Sequence, residues 1–484
     1  MGEERTTIGY GYNLLTPAKI RKIHLRDSDR KGHLFCFGST RIGKTKLIES
    51  MIEQDIRKGH SVVFFDPKGD IEIFSKIVQV TYEEKRQDEL FLITPIFPEY
   101  SAKIDPLAYY YMPEELVSHV VSGIKAKEEF FINVANETTM VIILSLLFFA
   151  KKKGVRPMIN FNEVRNLASW PDLKNLETHL QYYDDDPDAQ EILSTLKQIL
   201  ASPQDYFAKV SSSLRTVLTA LSIGSVGTII GKAKANEFIK RLEQGKKVIV
   251  VVQTGSLLTR KTAHIVARVL LSMIQSFVGR IYLSGRQINP PLCLYLDEAS
   301  NLLYMGVEDI FNKAGGAGVW VHAFTQSIAD IEAEIDEAPA RKILDNANTK
   351  IFMRVNDPTT AEYIAEYSGM GKRFSPILSL GGGITVREME EPVVRPENVL
   401  NLQMRDFYLF TFEGTYKGKT SVVPPPALLL NYPKVEVVPS NTQQKAEKNA
   451  LQAVVPEDPQ DTPEVQSVYE TMPQNEDGDV TIHS

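Results

Sequence analysis

Gly38-Ser39-Thr40-Arg41-Ile42-Gly43-Lys44-Thr45, with His33-Leu34-Phe35-Cys36-Phe37 before it and KTKLIESMIEQDIRK running from Lys44 to Lys58, decides how the chain is read. The octapeptide fits GxxxxGK[ST], and it stands between an apolar strand pattern and an amphipathic helix pattern. In that context the loop amides and the helix N-terminus are expected to hold phosphates. Lys44 reaches the β and γ oxygens of ATP and Thr45 ligates Mg²⁺.

A second apolar run, Leu292-Cys293-Leu294-Tyr295-Leu296, ends in Asp297-Glu298. An acid pair closing a buried strand downstream of a phosphate loop is expected to supply a Mg²⁺ ligand through water (Asp297) and a base that polarises the attacking water (Glu298). Gln326 follows the run VWVHAF, where a polar side chain either senses the γ-phosphate or caps the strand in solvent. Gln253, after KVIVVV, carries the same two readings. In parallel sheets ligands sit at the carboxyl ends of strands, which is where both glutamines fall.

The rest of the pattern fits an α/β fold. The runs at 33–37, 61–65, 247–252, 292–296, 319–324, 350–355 and 406–412 are short, apolar and separated by helical periodicity, so they predict a parallel-rich central sheet covered on both faces. Between the second and third runs, residues 113–234 read as helical throughout: MPEELVSHVVSGIKA, the apolar stretch 138–150, LKNLETHL, and DAQEILSTLKQILAS opened by Asp188. A connection of that length is read as an all-α domain inserted into a discontinuous domain made of 1–112 and 235–432.

Composition narrows the function classes. The chain has 484 residues, 43% apolar and 24% charged, which is ordinary globular content. Cys36 and Cys293 lie in separate apolar runs and the eight histidines are scattered, so neither a disulfide framework nor a structural metal site is expected. No window reads as roughly 20 consecutive apolar residues, and Met140 to Ala150, closed by three lysines, is taken as a buried helix. The polar N-terminus carries no signal-peptide pattern, so the expected location is cytoplasmic. The net charge of −7 resides entirely after Val437, where nine acids face two lysines in a stretch rich in Pro, Gln and Asn. Residues 433–484 therefore read as an acidic disordered tail, and the neutral body is free to carry basic surfaces for a nucleic acid.

One set of motifs in one order is more specific. Asp66-Pro67-Lys68-Gly69-Asp70 after the second run, the phosphate loop and the acid pair separated by a long helical insertion, Thr325-Gln326-Ser327, and Asn348-Thr349-Lys350-Ile351-Phe352-Met353-Arg354 with Asn356-Asp357-Pro358 follow one another. With these the chain resembles the TraD/TraG-type coupling proteins of type IV secretion systems, over about residues 25–430, and looks closest to the TraD branch. The resemblance implies a RecA-like P-loop motor domain, a membrane-distal all-α domain, a homohexameric ring with ATP between neighbours, and delivery of relaxase-bound DNA to a conjugation channel at the inner membrane. It also implies capture of relaxosome proteins by an acidic C-terminus. Two departures stand out: members usually begin with transmembrane helices, and they often carry an arginine before the TQS strand, where this chain reads Phe311-Asn312-Lys313-Ala314-Gly315-Gly316-Ala317-Gly318. Lys313 and Arg354 are the candidates for a cation acting in trans. An FtsK/HerA-like DNA translocase and a nucleotide-gated adaptor for protein substrates are the alternative readings.

Overall fold

β-branched and aromatic residues at the predicted runs form the strands of one large sheet. In chain order the strands are β1 (Arg5–Asn13), β2 (Arg21–Arg26), β3 (Leu34–Phe37), β4 (Ser61–Asp66), β5 (Leu90–Ile93), β6 (Ile249–Gln253), β7 (Leu292–Leu296), β8 (Val319–Thr325), β9 (Thr349–Phe352), β10 (Met370–Leu378), β11 (Ile384–Pro392), β12 (Asp406–Thr411) and β13 (Gly414–Thr420). The computed structural model describes residues 4–16, 19–125, 129–231, 233, 235–378 and 384–433. The acidic tail beyond Pro433 lies outside the described residues. Residues up to Leu430 make one compact unit.

Eleven strands join in the order β2-β1-β13-β12-β9-β3-β8-β7-β4-β6-β5, while β10 and β11 pair as a separate hairpin. From β9 to β5 every pairing is parallel, and from β12 to β2 every pairing is antiparallel. All seven predicted runs are strands. The run 406–412, however, enters antiparallel to β9, and β12 then turns directly into β13 through a short hairpin. β1, β2, β5, β10, β11 and β13 were not read from the sequence. Their residues alternate weakly or include glycines, so neither strand period stands out.

The central strands bury both faces, as their unbroken apolar sequences require. Phe35, Phe37, Val63, Phe65, Leu292, Leu294 and Leu296 join a core shared with the helix Arg260–Leu283. The alternate residues face the helix that follows the phosphate loop, Lys44–Arg57. At that second face sits Arg30, fully buried. Its guanidinium pairs with both oxygens of Asp55 at 2.7 and 2.6 Å, and donates to the Thr6 hydroxyl at 2.8 Å, the Tyr295 hydroxyl at 3.0 Å and His322 Nε2 at 3.1 Å. Tyr295 in turn donates to Asp55 at 2.5 Å. One side chain thereby ties the Lys44–Arg57 helix to β1, β7 and β8.

Among the described residues the connection from β5 to β6 contains helices and no strand. Its two ends meet: Ile104 N–H donates to Ile229 O and Asp105 N–H to Ala235 O, each at 2.8 Å. The excursion thus leaves and re-enters the sheet region at one neck. The predicted helices are present as Pro113–Ser122, Glu129–Lys153, Trp170–Gln181 and Pro187–Leu200. The last is capped by Asp186, which accepts from Asp188 N–H, and not by Asp188; Pro187 takes the first helical position, where its missing N–H costs nothing.

By length and composition two described helices are long and apolar enough to cross a membrane, Glu129–Lys153 with mean hydropathy 1.7 and Arg260–Leu283 with 1.4. The bent pair Ser212–Ser222 and Gly224–Gly231 passes the same test together. Neither stretch reads as an uninterrupted apolar run in the sequence, because scattered polar residues interrupt it without lowering the average far. Within the protein 72% of the Arg260–Leu283 window is buried and 39% of the Glu129–Lys153 window. The predicted buried stretch is the C-terminal half of the latter, with Val141, Ile142, Ile143 and Phe148 inside.

Breaking the Arg30–Asp55 pair leaves a desolvated charge, so Arg30→Met or Asp55→Leu should each cost about 3–5 kcal/mol in denaturant unfolding. The double variant should cost less than the two single losses combined. At the neck, burial raises the Asp105 carboxyl from 3.8 to about 7. The unfolded chain ionises first, so stability falls as pH rises through this window and the whole penalty is present above it. Asp105→Asn keeps an acceptor for Leu107 N–H and should raise the melting temperature at pH 8 by roughly 2–4 °C, with almost no change at pH 4.

Candidate nucleotide site

The phosphate loop leaves β3 and turns sharply into the Lys44–Arg57 helix, and its path is fixed by neighbours on the sheet. Gly38 N–H donates to Thr325 O at 3.1 Å, Ser39 N–H to Arg354 O at 2.7 Å, and Arg405 N–H to Ile42 O at 3.0 Å. Gly43 precedes the helix at φ 112°, a conformation that side chains resist, and a Cβ there would stand 3.3 Å from the Arg405 side chain. Thr40 and Arg41 are exposed at the tip, Thr45 is half-buried in the first helical turn, and Ile42 is buried beneath. Lys44 is buried, and its ammonium donates to the loop carbonyls of Gly38 and, at 2.9 Å, Ser39. Burial lowers its pKa, opposed by the nearby Asp297 and Glu298.

Strand order sets the distance to the acids. β8 lies between β3 and β7, so the loop and the end of β7 are two strand spacings apart, roughly 10 Å. That gap suits a terminal phosphate and a water. Gln326, half-buried at the tip of β8, stands in the middle of it.

Asp297 continues the β7 ladder through its N–H to Phe65 O at 3.1 Å, and its carboxylate is almost wholly buried. Burial raises its pKa, and the Lys68 ammonium opposes that rise. Glu298 turns out of the strand at φ 48°, ψ 50°, left-handed backbone that costs a non-glycine residue energy. Its Oε1 accepts from Lys68 Nζ at 2.7 Å and its Oε2 from Asn301 Nδ2 at 3.2 Å. Lys68 Nζ is also 3.6 Å from Asp297 Oδ2.

Lys68, Asn301 and Asp66 were not named as site residues from the sequence; DPKGD served there only as a family mark. The structure supplies its physical content. Asp66 ends β4 and is buried, and its carboxylate accepts from the N–H groups of Lys68, Gly69 and Asp70 at 3.1, 3.0 and 2.6 Å. Burial lifts its pKa to about 6 against those bonds. Gln253, paired with Asp66 in register across β4 and β6, donates to it at 3.1 Å, so it braces this turn from β6. The one advance signal was position, a lysine just past the end of a strand that neighbours the acid-bearing strand.

The two candidate cations part company. Arg354 lies beside the loop, its carbonyl bonded to Ser39 and its side chain exposed. Lys313 ends the helix Glu308–Lys313 before β8 begins, at the opposite edge of the sheet, with an exposed ammonium 3.8 Å from Asp309. It does not reach the phosphate loop of its own chain.

Asp55, His60 and Cys293 also converge, their ligand atoms within 4.8 Å of one another. They do not fit a metal ion, because the Arg30 guanidinium already supplies the positive charge to Asp55 and burial drives the Cys293 thiol well above its usual range. The Cys36 thiol behind the phosphate loop is likewise pushed to about 12 by burial.

The fold is of the RecA-like P-loop type, with the candidate phosphate loop and acid pair on strands separated by one other. Comparison with known proteins narrows the class. Residues 291–403 match the family model described as the TraM recognition site of TraD and TraG. The probable conjugal transfer protein TraG of Sinorhizobium fredii (strain NBRC 101917 / NGR234) is 27% identical over 160 residues, 31% of this chain. That match spans about a quarter of the relative's length, 25%. In fold, the chain is similar to the bacterial conjugative coupling protein TrwBdeltaN70 in its unbound monoclinic form, with TM-score 0.63 and 16% identity over 83% of this chain and 87% of that one. TrwB in complex with the ATP analogue ADPNP gives the same TM-score, covering 88% and 97%. The chain is thus similar to the conjugative coupling proteins, as its motif order implies.

Asp66→Ala would strip the acceptor from three loop amides and from Gln253. It should lower unfolding stability by about 1–3 kcal/mol and raise hydrogen exchange at Lys68, Gly69 and Asp70, read by mass spectrometry.

Proposed function

We propose that the chain is an ATP-driven coupling protein that recruits relaxase-bound DNA and pumps it into a type IV secretion channel. The observation that carries the reading is the placement of Lys44, Gln326 and the Asp297-Glu298 pair at adjoining strand ends, within a fold similar to a conjugative coupling protein over most of the chain. Residues 38–45 hold the phosphates, and Lys44 exchanges its loop carbonyls for the β and γ oxygens of ATP. Glu298 accepts a proton from the attacking water while Gln326 orients it. The oxygen donors Thr45 and Asp297 suit Mg²⁺, and burial, which raises the pKa of the Asp297 carboxyl, makes a cation beside its ionised form favourable. When bound, the ion would neutralise charge developing on the phosphates.

A homohexamer completes the site. Lys313, which lies away from its own phosphate loop, is our candidate for the cation that serves a neighbour's nucleotide, whereas Arg354 adjoins its own loop. Residues 113–234 act as the all-α domain and 1–112 with 235–432 as the motor. The likeness of 291–403 to a TraM recognition site supports a relaxosome partner, and the acidic segment 433–484 serves as a second docking arm. The working location is the cytoplasmic face of the inner membrane.

ATPase assays with and without DNA test this reading. Lys44→Ala should abolish turnover and weaken ATP binding, and Glu298→Gln should bind ATP with turnover lost by about 100-fold or more. DNA should stimulate the wild type, less so as salt rises. Wild-type turnover in Lys44→Ala, or no response to DNA at any protein concentration, would sink the motor assignment. Deleting 437–484 should spare hydrolysis while reducing capture of relaxosome proteins in pull-down.

A further inference from the structure

We propose that Lys68 and Asn301 are positioning residues that hold the Glu298 carboxylate in the plane from which it takes a proton from water. The inference rests on the reading of Glu298 as the hydrolytic base. Glu298 follows β7 on left-handed backbone, so its side chain leaves the sheet at an angle that no strand ladder fixes. Two donors fix it instead, one on each oxygen: Lys68 Nζ on Oε1 at 2.7 Å and Asn301 Nδ2 on Oε2 at 3.2 Å. An ionised carboxylate has about four acceptor positions, so two bonds orient the group and leave lone pairs for a water.

Lys68 is itself held where it must be. Its N–H is bonded to Asp66, which is anchored by Gln253 across the sheet, and β4 and β7 are paired neighbours, with Phe65 opposite Leu296. The ammonium therefore approaches Glu298 from an element other than the one that carries it. A charge-assisted hydrogen bond of this length is roughly twice as strong as a neutral one and restricts the carboxylate accordingly. Asn301 stands three residues on, its N–H bonded to Glu298 O at 3.0 Å, so it clamps both main chain and side chain of the base. A lysine that only balanced two acids would not need this buried brace. Lys68 is 41% exposed along its side chain, so its replacement should not unfold the protein.

The test is steady-state hydrolysis by the full chain, with binding of a fluorescent ATP analogue measured in parallel. Lys68→Met should lower kcat by about tenfold or more while KM and analogue affinity stay within about twofold, because the interaction acts on the chemical step. Lys68→Arg should restore part of the loss, and Asn301→Ala, which leaves the charge untouched, should reproduce a smaller one. In a Glu298→Gln background Lys68→Met should add nothing further, since its effect passes through the carboxylate. Unchanged or raised kcat in Lys68→Met would overturn the proposal, as would a matching loss of analogue affinity, which would make Lys68 a phosphate ligand. A loss that persists in the Glu298→Gln background would overturn it too. Normal turnover in Glu298→Gln alone would instead refute the assignment of the base, whatever Lys68 does.

Discussion

The buried Arg30–Asp55 pair is the constraint on which the site's geometry depends. A guanidinium out of water is expensive unless all its donors are met, and here a carboxylate, two hydroxyls and an imidazole meet them. Asp55 lies near the end of the helix that begins at Lys44, while Tyr295 and His322 lie on the strands that carry the acid pair and Gln326. The helix is consequently pinned at its far end to the two strands whose tips face its near end. The distance between phosphate loop and acids is thus a property of the core beneath the loop, not of the loop alone.

Above that anchor, each strand tip carries one element of the site. β3 carries the loop, β8 the glutamine, β7 the acids, β4 the lysine turn and β6 the glutamine that braces it. Neighbouring tips are tied crosswise: Gly38 to Thr325, Ser39 to Arg354, Lys68 to Glu298, Gln253 to Asp66. Parallel strands make this possible, because all their carboxyl ends lie at one edge, where the next residue of each is released from the ladder and free to point at a ligand.

Much of this was legible in advance, for reasons particular to the residues. The seven central strands are buried on both faces, so their sequences are nearly all apolar and stand out. The outer strands do not: β1 and β13 carry glycines, β2 is rich in polar residues, and β5 is a four-residue run only partly buried. The phosphate loop announces itself because glycine, lysine and threonine are each demanded by a different atom of the ligand. Asp297-Glu298 was readable only as a strand end bearing acids. Asp66 and Lys68 were visible as letters without a role, because that role depends on Gln253, 187 positions from Asp66, and on Glu298, which lies on another strand from Lys68.

By itself the sequence determined the α/β class, the phosphate loop, the acid pair, the helical nature of the long connection and the likeness to coupling proteins. All of these rest on local pattern, in which a residue's neighbours along the chain set its environment. Only the tertiary structure decided that β8 separates loop from acids, that β12 runs antiparallel, that Arg354 adjoins the loop while Lys313 lies at the other sheet edge, and that Lys68 grips Glu298. Strand order and cross-strand contacts are chosen by packing between segments far apart in sequence, and that choice leaves no periodic mark on any one of them.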